Sequence, residues 1–386
     1  MRFPEFSGEW DSFKLVELGK FIGGGTPSSS NLSFWTGSIP WISSSDIKED
    51  NINNISISRY ITEDAIEKSA TKYCPAPVIL IVSRVGVGKV ALSHTSLCTS
   101  QDFCNIIDIK CHPVFLSYNL LRTMKRKSRE VQGTSIKGIT SDELQKIRVF
   151  IPKNKDEQNK ISNLLTLLDE RIVTQNKIIE RYESLIRGIN QYAFTNTGIN
   201  YKLGEICEIR SGYSGNQLTL KNGLKVSRIE TISGHKVNME RVGYVAPFES
   251  SENYRLQIGD ILFSNINSVE YIGNTAFIDK DYNLYHGMNL LRLIPKKELV
   301  MPFYLYLVLN TNRLLNHFKT VCNKAVSQAS INQTELGKTI VRIPNLMNQN
   351  RICELFQTLY TKLEAERYFI SLLQDQKQHL LRQMFI

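Results

Sequence analysis

The sequence lacks the motifs that many enzymes acting on nucleotides or nucleic acids carry. It has no Gly-x4-Gly-Lys-Ser/Thr phosphate loop, no Glu-x-Lys of metal-dependent nucleases and no Pro-Pro dipeptide. The last absence removes the Asn/Asp-Pro-Pro-aromatic tetrapeptide that holds a target amine. Residues 21–25 fit the loose Phe-x-Gly-x-Gly pattern of an adenosylmethionine site, which is weak evidence alone. We therefore predict a protein that binds and does not catalyse.

The sequence also lacks the residue patterns of metal sites, disulfide frameworks and membrane spans. Its six histidines include no pair at metal-binding helical spacing, and its seven cysteines include no Cys-x-x-Cys. No hydrophobic targeting segment opens the sequence, and the longest apolar runs, residues 78–82 and 303–309, are far too short to span a bilayer. These absences predict a cytoplasmic protein without a metal or a membrane partner.

The excess of positive charge is confined to two parts of the chain. The net charge is +10, from 47 Lys and Arg against 37 Asp and Glu. Residues 156–194 carry five basic and six acidic side chains, and residues 349–386 carry five and four, so these segments together are neutral. The whole surplus lies outside them and predicts a polyanionic partner there. Surplus lysine that serves only solubility is the alternative.

Two segments in matched heptad phase organise the chain. Steps of four and three from Ile161 to Ile189 meet apolar or aromatic residues at every position except Gln175. The same steps, 191 residues later, run from Ile352 to Leu380 with Glu366 at the equivalent of Gln175. This spacing predicts two paired helices. A two-fold repeat in one chain favours antiparallel pairing, with Gln175 facing Glu366 at the centre and residues 161 and 380 close together at one end.

The repeat extends beyond the helices. Residues 14–22 lead into a Gly/Ser loop, as residues 202–209 do at an offset of 188. Residues 78–82 predict a buried strand whose counterpart is 260–265, and the strand at 105–109 is matched with 289–293. Helices are predicted at 113–127 and 302–318, each opened by proline. An Ile-Pro dipeptide precedes each long helix.

The loops that follow the matched strands differ in their polar residues. Arg84 and Lys89 stand in the first copy, and Asn265, Asn267 and Tyr271 stand in the second. Arginine reads guanine and asparagine reads adenine through paired hydrogen bonds, so this divergence is typical of two readers of different DNA sequences. Structural turns explain the glycines of these loops equally well. The complete set of candidate DNA-binding residues is Thr26, Ser45, Arg84, Lys89, Lys137, Arg228, Asn265, Asn267, Tyr271 and Gln328.

A second apolar stripe lies beside each heptad seam. Its members recur at seven-residue spacing on the first helix and are echoed 191 residues later. An exposed apolar stripe on a charged helix is costly unless a partner covers it, so we predict that partner helices bind there. The candidate partner-binding residues are Leu164, Ile178, Leu185, Leu355 and Phe369.

Together, these motifs resemble the specificity subunit of a type I restriction-modification system. The resemblance covers essentially the whole chain and rests on the order of the motifs, repeated twice. The motifs are Gly24-Gly25-Thr26-Pro27, Ile39-Pro40-Trp41-Ile42, the segment Ser83-Arg84-Val85-Gly86-Val87-Gly88-Lys89, the two Ile-Pro dipeptides, and Gln158-Asn159-Lys160-Ile161 with Gln349-Asn350-Arg351-Ile352. The second half departs from the pattern where Asn265 replaces the equivalent of Arg84.

The resemblance implies an α+β fold with two pseudo-repeated recognition domains joined by two long antiparallel coiled-coil helices. The expected segments are recognition domain 1 (1–155), the central spacer helix (156–195), recognition domain 2 (196–347) and the second spacer helix (348–386). Each domain would read half of a split site in double-stranded DNA. The helices would dock two methyltransferase subunits, and restriction subunits would join the larger complex. No cofactor is expected on this chain, because adenosylmethionine, ATP and magnesium would bind to the partners.

Two other classes of protein remain as alternatives. One is a stand-alone adenine methyltransferase with a fused recognition domain, which would need a catalytic half for which no segment is left over. The other is a coiled-coil scaffold whose basic domains bind protein or RNA.

Overall fold

The computed structural model describes residues 2–132, 138–194, 198–219, 221–324 and 328–385. The chain divides into two compact units. Unit 1 comprises Met1–Lys177 and Arg367–Ile386, and unit 2 comprises Ile178–Glu366. Two long helices, α5 (Lys155–Ala193) and α10 (Leu346–Gln383), each contribute one half to each unit.

Each unit contains a four-stranded antiparallel sheet with the same connectivity. The strand order is β2-β9-β6-β7 in unit 1 and β12-β18-β15-β17 in unit 2, so equivalent strands occupy equivalent places. The strands of the first sheet are β2 (Lys20–Gly23), β6 (Val78–Val82), β7 (Val90–Ser93) and β9 (Phe103–Ile107). Those of the second are β12 (Cys207–Ser211), β15 (Ile261–Phe263), β17 (Thr275–Phe277) and β18 (Leu291–Pro295).

Strand β6 is apolar throughout because both faces of its sheet are covered. Ile79 and Ile81 belong to the core on one face, which helix α3 (Pro113–Gln132) helps to fill. Val78, Leu80 and Val82 belong to a second core on the other face. A strand buried on both sides has no solvent-facing position to reserve for polar residues, which explains the continuous run of apolar residues.

The remaining elements repeat in part. A two-stranded antiparallel ladder, β1 with β10 or β11 with β21, precedes the long helix in each unit. The small sheets differ: unit 1 has β4-β3-β8-β5, and unit 2 has β13-β14 and β16-β20-β19. The remaining strands are β1 (Trp10–Lys14), β3 (Ile39–Ile42), β4 (Arg59–Ile61), β5 (Tyr73–Cys74), β8 (Leu97–Thr99), β10 (Arg148–Pro152), β11 (Ile199–Lys202), β13 (Leu224–Val226), β14 (Gly243–Val245), β16 (Ile266–Asn267), β19 (Asn323–Lys324), β20 (Ala329–Ser330) and β21 (Ile340–Ile343).

Short helices complete the repeat. Helices α1 and α6 each follow the first strand of their unit, and α4 and α9 each precede the last strand before the long helix. The bounds of the short helices are α1 (Leu15–Leu18), α2 (Glu63–Glu67), α4 (Ser141–Lys146), α6 (Leu203–Ile206), α7 (Pro302–Leu309), α8 (Asn312–Val321) and α9 (Gln333–Gly337), and five single turns of 3-10 helix lie in the loops of the described segments.

Two local expectations were wrong. Asn289 does not begin a strand equivalent to residues 105–109; its φ of 65° places it in a turn, a conformation that asparagine tolerates better than most residues. In register, Asn105 lies opposite Leu80 and Arg292 opposite Leu262, so Arg292 is the structural counterpart of Asn105. The helix predicted at 302–318 breaks at Asn310, because the Thr311 side chain caps a new helix there by accepting from Leu314 N.

The expected antiparallel pairing of α5 and α10 is confirmed within each unit. In unit 1, Ile161 packs in one core with Leu381 and Met384, and Asp169 pairs with Lys377. Residue numbers thus increase along α5 as they decrease along the facing part of α10. Unit 2 joins the other halves, with residues 186 and 189 in one cluster with 352 and 356. The pairing of Gln175 with Glu366 stays a prediction.

The same glutamine contacts anchor the start of each long helix. Gln158 Nε2 donates to Pro152 O at 2.8 Å, and its Oε1 accepts from His112 N at 3.0 Å. Gln349 repeats both contacts, to Pro344 O at 2.8 Å and from Met301 N at 2.8 Å. Each glutamine therefore ties the Ile-Pro junction, the residue before α3 or α7, and the long helix into one hydrogen-bonded group.

Candidate nucleic-acid interface

In unit 1, several loops meet at one end of the main sheet, where β6 ends. Ser83 N donates to Asp102 O at 2.8 Å, and Ile139 N donates to Ser83 O at 2.7 Å. These bonds hold the loops of residues 83–89, 100–102 and 138–139 together. Gly138 is required for this approach, because a Cβ atom there would lie 2.9 Å from Ser83 O. Lys137, a candidate DNA-binding residue, lies outside the described residues.

Arg84, Lys89 and Ser45 all lie at this end of the sheet. The Arg84 side chain is exposed. Lys89 Nζ donates to Ser44 O at 3.1 Å, which joins the loop after β6 to the loop of residues 43–45, the serine loop. Ser45 is exposed and its hydroxyl lies 2.9 Å from Ser43 Oγ. The structure therefore brings together three of the residues that the sequence selected.

Arg59 supports the serine loop, and the sequence analysis did not select it. Its guanidinium pairs with Asp46 and donates to Ser43 Oγ at 2.6 Å. The same group lies 4.6 Å from the centre of the Trp41 ring. The loop is thus held in one conformation by an ion pair on an aromatic face. The sequence does not predict this contact, because Trp41 and Arg59 meet only when β3 pairs with β4.

The Gly24-Gly25 pair serves packing between loops. A Cβ atom on Gly24 would lie 2.0 Å from Ser100 O, and one on Gly25 would lie 2.3 Å from the carbonyl carbon of Ala70. Gly25 O also accepts from Trp41 Nε1 at 3.0 Å. The next residue, Thr26, is exposed and donates to the side chain of Gln101, so it too lies at the loop end of the sheet.

In unit 2 the loop after β15 adopts a different structure. Residues 266–267 form β16, which pairs with β20 next to Gln328. Asn267 Nδ2 donates to Ser264 Oγ at 3.1 Å, and Asn265 O accepts from Ile331 N at 2.9 Å. Asn265 Oδ1 is buried and has no hydrogen-bond partner among the described residues. Tyr271 is 48% exposed, and Gln328 is exposed.

Arg228 lies near the turn that precedes β18. Its neighbour Ser227 donates from N to Tyr285 O at 2.8 Å and accepts from Gly287 N at 3.0 Å. The Arg228 side chain is exposed, and its Nε lies 3.6 Å from Glu230. The candidate residues of unit 2 thus also lie on loops at one end of its main sheet.

An aromatic stack lies beside that turn and was missed from the sequence. The rings of Tyr213 and Phe248 are 3.9 Å apart and 6° from parallel. Tyr213 N donates to His286 O at 2.9 Å, which fixes the stack against the turn. The pairing could not be anticipated, because 35 residues separate the two rings in the sequence.

The buried thiols of Cys74 and Cys98 and the buried imidazole of His286 are held in their neutral forms. Burial raises the pKa of Cys74 to about 11 and that of Cys98 to about 12, so these thiols are not activated. Burial lowers the pKa of His286 to about 4. No group of three His, Cys, Asp or Glu within the described ranges could hold a metal ion. No helix in that part of the chain is long and apolar enough to cross a membrane.

The residues predicted to bind partner helices differ in exposure. Leu185 and Leu355 are 48% and 44% exposed, and Ile178 and Phe369 are half-buried. Leu164 packs against the core of unit 1 and is the least suited of the five to meet a partner. Further exposed apolar side chains on the long helices are Leu167, Tyr192, Leu346, Met347, Tyr368 and Leu372.

Comparison with known proteins assigns the fold to a family. The model of the type I restriction modification DNA specificity domain matches residues 7–183 and again residues 199–369. The chain belongs to this family, and the two matches cover both copies of the internal repeat.

Individual relatives agree with this assignment. The putative type I restriction enzyme MjaX specificity subunit of Methanocaldococcus jannaschii is 38% identical over 188 residues, which are 48% of this chain and 44% of that protein. The EcoR124I/EcoR124II specificity subunit of Escherichia coli is 34% identical over 177 residues, 44% of this chain and 43% of that protein. These alignments therefore span less than half the length of either relative.

Solved structures share the fold along the whole chain. A chain from the structure of a type I R-M system superposes with a TM-score of 0.64 at 18% identity, covering 98% of both chains. The S subunit of a type I restriction-modification system from M. genitalium superposes with a TM-score of 0.61 at 17% identity, covering 100% of this chain and 99% of that one. The predicted α+β architecture with two repeated domains and long antiparallel helices is thereby confirmed.

Proposed function

We propose that this chain is the DNA-recognition subunit of a type I restriction-modification complex and reads a bipartite target. The observation that carries this proposal is the repeated site: each unit places a set of polar loops at the same end of an equivalent sheet. The double match to a DNA specificity domain supports it. The chain itself would supply recognition, while catalysis would reside in partner subunits in the cytoplasm.

In this proposal residues 1–155 and 196–347 are the two readers, and residues 156–195 and 348–386 are the spacer helices. Arg84 and Lys89 would contact one half-site, with Thr26, Ser45 and Lys137 beside them. Asn265, Asn267 and Tyr271 would contact the other half-site, with Arg228 and Gln328. Exposed guanidinium and amide groups suit guanine and adenine edges respectively. The buried, unpartnered Asn265 Oδ1 would then gain its partner from DNA or from a bridging water.

The exposed apolar residues of the long helices would bind two methyltransferase subunits, and restriction subunits would join that assembly. Adenosylmethionine, ATP and magnesium would bind to those partners. The substitution Leu185→Glu or Leu355→Glu should release methyltransferase subunits, because a charge at a covered apolar contact is costly. The control is Glu183→Gln on α5, which removes a charge from the helix without placing one on this stripe. Unchanged co-purification of the Glu variants with methyltransferase subunits would count against the docking site.

The first experiment is binding of the purified full chain to random duplex DNA across a salt series, with duplex RNA as the comparison. We expect DNA binding whose affinity falls as salt rises, since phosphate contacts release counterions. Equal or tighter binding to RNA would favour the scaffold alternative. Methyl transfer to DNA by the chain alone would refute a purely recognising role.

A chimera tests whether the two readers act independently. Residues 1–150 are replaced by those of a relative, and the methylated motif is sequenced in a host that supplies the methyltransferase subunits. One half of the motif should change while the other stays the same. A simultaneous change in both halves would refute modular reading.

A further inference from the structure

Unit 1 carries a second basic surface beside the loops of the candidate interface. A groove of about 250 Å³ lies between the second half of α3 and the end of α10. Five of the eight residues that line it are basic. They are Arg122, Lys125, Arg126, Arg129 and Arg382.

The charge of this groove exceeds what its protein surroundings balance. Lys125 pairs with Asp50, which offsets one of the five cations. Arg129 and Arg382 lie in the last turns of α3 and α10, where each helix end contributes about half a negative charge. When Arg122 is left out of the count, a net charge of about +2 remains on the other four cations. Burial and the neighbouring Arg126 both lower the pKa of Arg122, which reflects the crowding of positive charge.

Unit 2 has no basic residues at the matching positions of the sequence. When Pro113 is aligned with Pro302, residues 122, 125, 126 and 129 correspond to Thr311, Leu314, Leu315 and Phe318 in unit 2. Leu314 and Phe318 are buried in the core of their unit. Unit 2 does not continue one helix through this segment, because α8 begins there after the break at Asn310. The two segments therefore differ in structure as well as in charge.

Helix α3, which lines the groove, also packs against the loop that carries Arg84 and Lys89. A Cβ atom on Gly88 would lie 3.1 Å from Ser128 Cβ and 3.7 Å from Met124 O, so the loop packs directly on α3. At 100° per residue, Ser128 lies about 160° from Arg126 and about 100° from Arg129, so the loop and the groove occupy different faces of α3. The loop and the groove are therefore held at a fixed separation by one helix.

We propose that this groove binds a phosphodiester of the DNA duplex as an anchor that reads no base, an inference that rests on the proposed function. Arg126 and Arg129 lie one turn apart on α3 and Arg382 faces them from α10, so their planar guanidinium groups can contact adjacent phosphate oxygens in pairs. A free polyphosphate nucleotide presents the same chemistry, and the experiment separates the two sources.

The test compares the full chain with the triple variant Arg126→Gln, Arg129→Gln, Arg382→Gln in binding to random duplex DNA. The slope of log affinity against log salt should fall in magnitude by about 1 to 2, and affinity at a fixed moderate salt should fall roughly tenfold for all sequences. The control is Lys14→Gln, Lys20→Gln, Lys153→Gln, which removes the same charge from exposed positions of unit 1. Lys20 begins β2, whose other end meets the loops. The control slope should stay close to that of the unaltered chain.

Other results would overturn the anchor. An unchanged salt slope in the arginine variant would refute the anchor, even if the thermal midpoint of the variant falls. The arginines would then stabilise the carboxyl ends of the helices without contacting DNA. Loss of ATP binding by the variant with an unchanged DNA slope would assign the groove to a free nucleotide. Absence of duplex binding by the unaltered chain would refute the proposed function, and the anchor with it. Binding by the unaltered chain with no effect of the variant would refute the anchor alone.

Discussion

The two units hold their halves of the helix pair by different chemistry. In unit 1, Asp169 of α5 pairs with Lys377 of α10, and both side chains are 3% exposed. Tyr118 of α3 donates to Asp169 Oδ2 at 2.8 Å, and Lys377 also donates to Asp50 O. At the equivalent positions unit 2 has Tyr360, Ile186 and Leu307, which pack in one apolar cluster.

This difference shows that one heptad register accommodates two kinds of contact. The apolar cluster of unit 2 gains stability from each side chain separately, since burial of apolar area is non-directional. The ion pair of unit 1 depends on both partners at once. Burial raises the pKa of Asp169 and lowers that of Lys377, and the opposite charge counteracts each shift. A buried charge without its partner is strongly destabilising.

The largest expected effect comes from breaking this ion pair. Lys377→Met should lower the free energy of unfolding of unit 1 by about 3 to 5 kcal/mol, because it leaves the Asp169 carboxylate buried and unpaired. Urea unfolding followed by tryptophan fluorescence measures this effect in unit 1 specifically. All three tryptophans, Trp10, Trp35 and Trp41, belong to that unit.

The matched control removes the whole polar group. The triple variant Tyr118→Phe, Asp169→Leu, Lys377→Met converts unit 1 to the chemistry of unit 2 and should recover most of the lost stability. If the free energy of unfolding of Lys377→Met lies within about 1 kcal/mol of that of the unaltered chain, the stability of unit 1 does not depend on having both partners of the ion pair.

The helix pair also shows how far the sequence could lead. The heptad phase predicted that the two helices pair, the two-fold repeat predicted that they are antiparallel, and Lys377 fell on the predicted seam although it is charged. Its partner Asp169 does not lie on the seam in the sequence pattern. The ion pair is supported by tertiary contacts between distant parts of the chain, since Tyr118 of α3 donates to Asp169 and Asp50 O accepts from Lys377. The sequence alone does not predict these contacts.

The candidate interface was predictable in position more than in detail. A buried strand followed by a polar loop predicted where Arg84 and Asn265 would lie. Arg59 could not be selected, because its contacts depend on the pairing of β3 with β4. The identity of a reading residue depends on which loop approaches the sheet end, and periodicity contains no information on that approach.

The second prediction sharpens the comparison through pH. Burial depresses the pKa of His286 in unit 2 from 6.5 to about 4. Between these two values the unfolded chain binds more protons than the folded chain. The contribution of neutral His286 to stability is therefore complete above pH 6.5, and roughly 3 kcal/mol is lost as the pH falls towards 4. Hydrogen exchange of unit 2 amides from near-neutral to acidic pH measures the loss. His286→Gln should flatten this dependence, and His317→Gln should leave it unchanged. A steep dependence in His286→Gln would assign it to another group.

The third prediction concerns a contact that the units share. Gln158→Leu leaves the N–H of His112 and the carbonyl of Pro152 without their partner, and Gln349→Leu leaves the N–H of Met301 and the carbonyls of Pro344 and Leu299 without theirs. Each variant should cost about 1 to 3 kcal/mol in its own unit. Tryptophan fluorescence reports the first variant, and hydrogen exchange of unit 2 reports the second. Gln158→Glu retains the acceptor for His112 N and loses the donor to Pro152 O, so it should cost less than Gln158→Leu. A loss in Gln349→Leu no larger than that in Gln158→Leu would mean that the additional bond to Leu299 O contributes little.

The smallest expected effect returns to the difference between the helix halves. The Arg171 guanidinium lies 5.1 Å from the centre of the Phe369 ring in unit 1. The equivalent positions in unit 2 are Lys362 and Ile178, which cannot form a cation–π contact. Arg171→Gln should therefore lower the stability of unit 1 by about 0.5 to 1 kcal/mol in the tryptophan-monitored unfolding. Lys362→Gln, followed by hydrogen exchange of unit 2, should have no measurable effect.

A loss as large in Lys362→Gln would mean that the cation acts through general helix electrostatics and that the aromatic ring is not its partner. Phe369 is also a proposed methyltransferase contact. Arg171→Gln should leave co-purification with the methyltransferase subunits intact, because the variant keeps the ring and removes only the guanidinium that supports it.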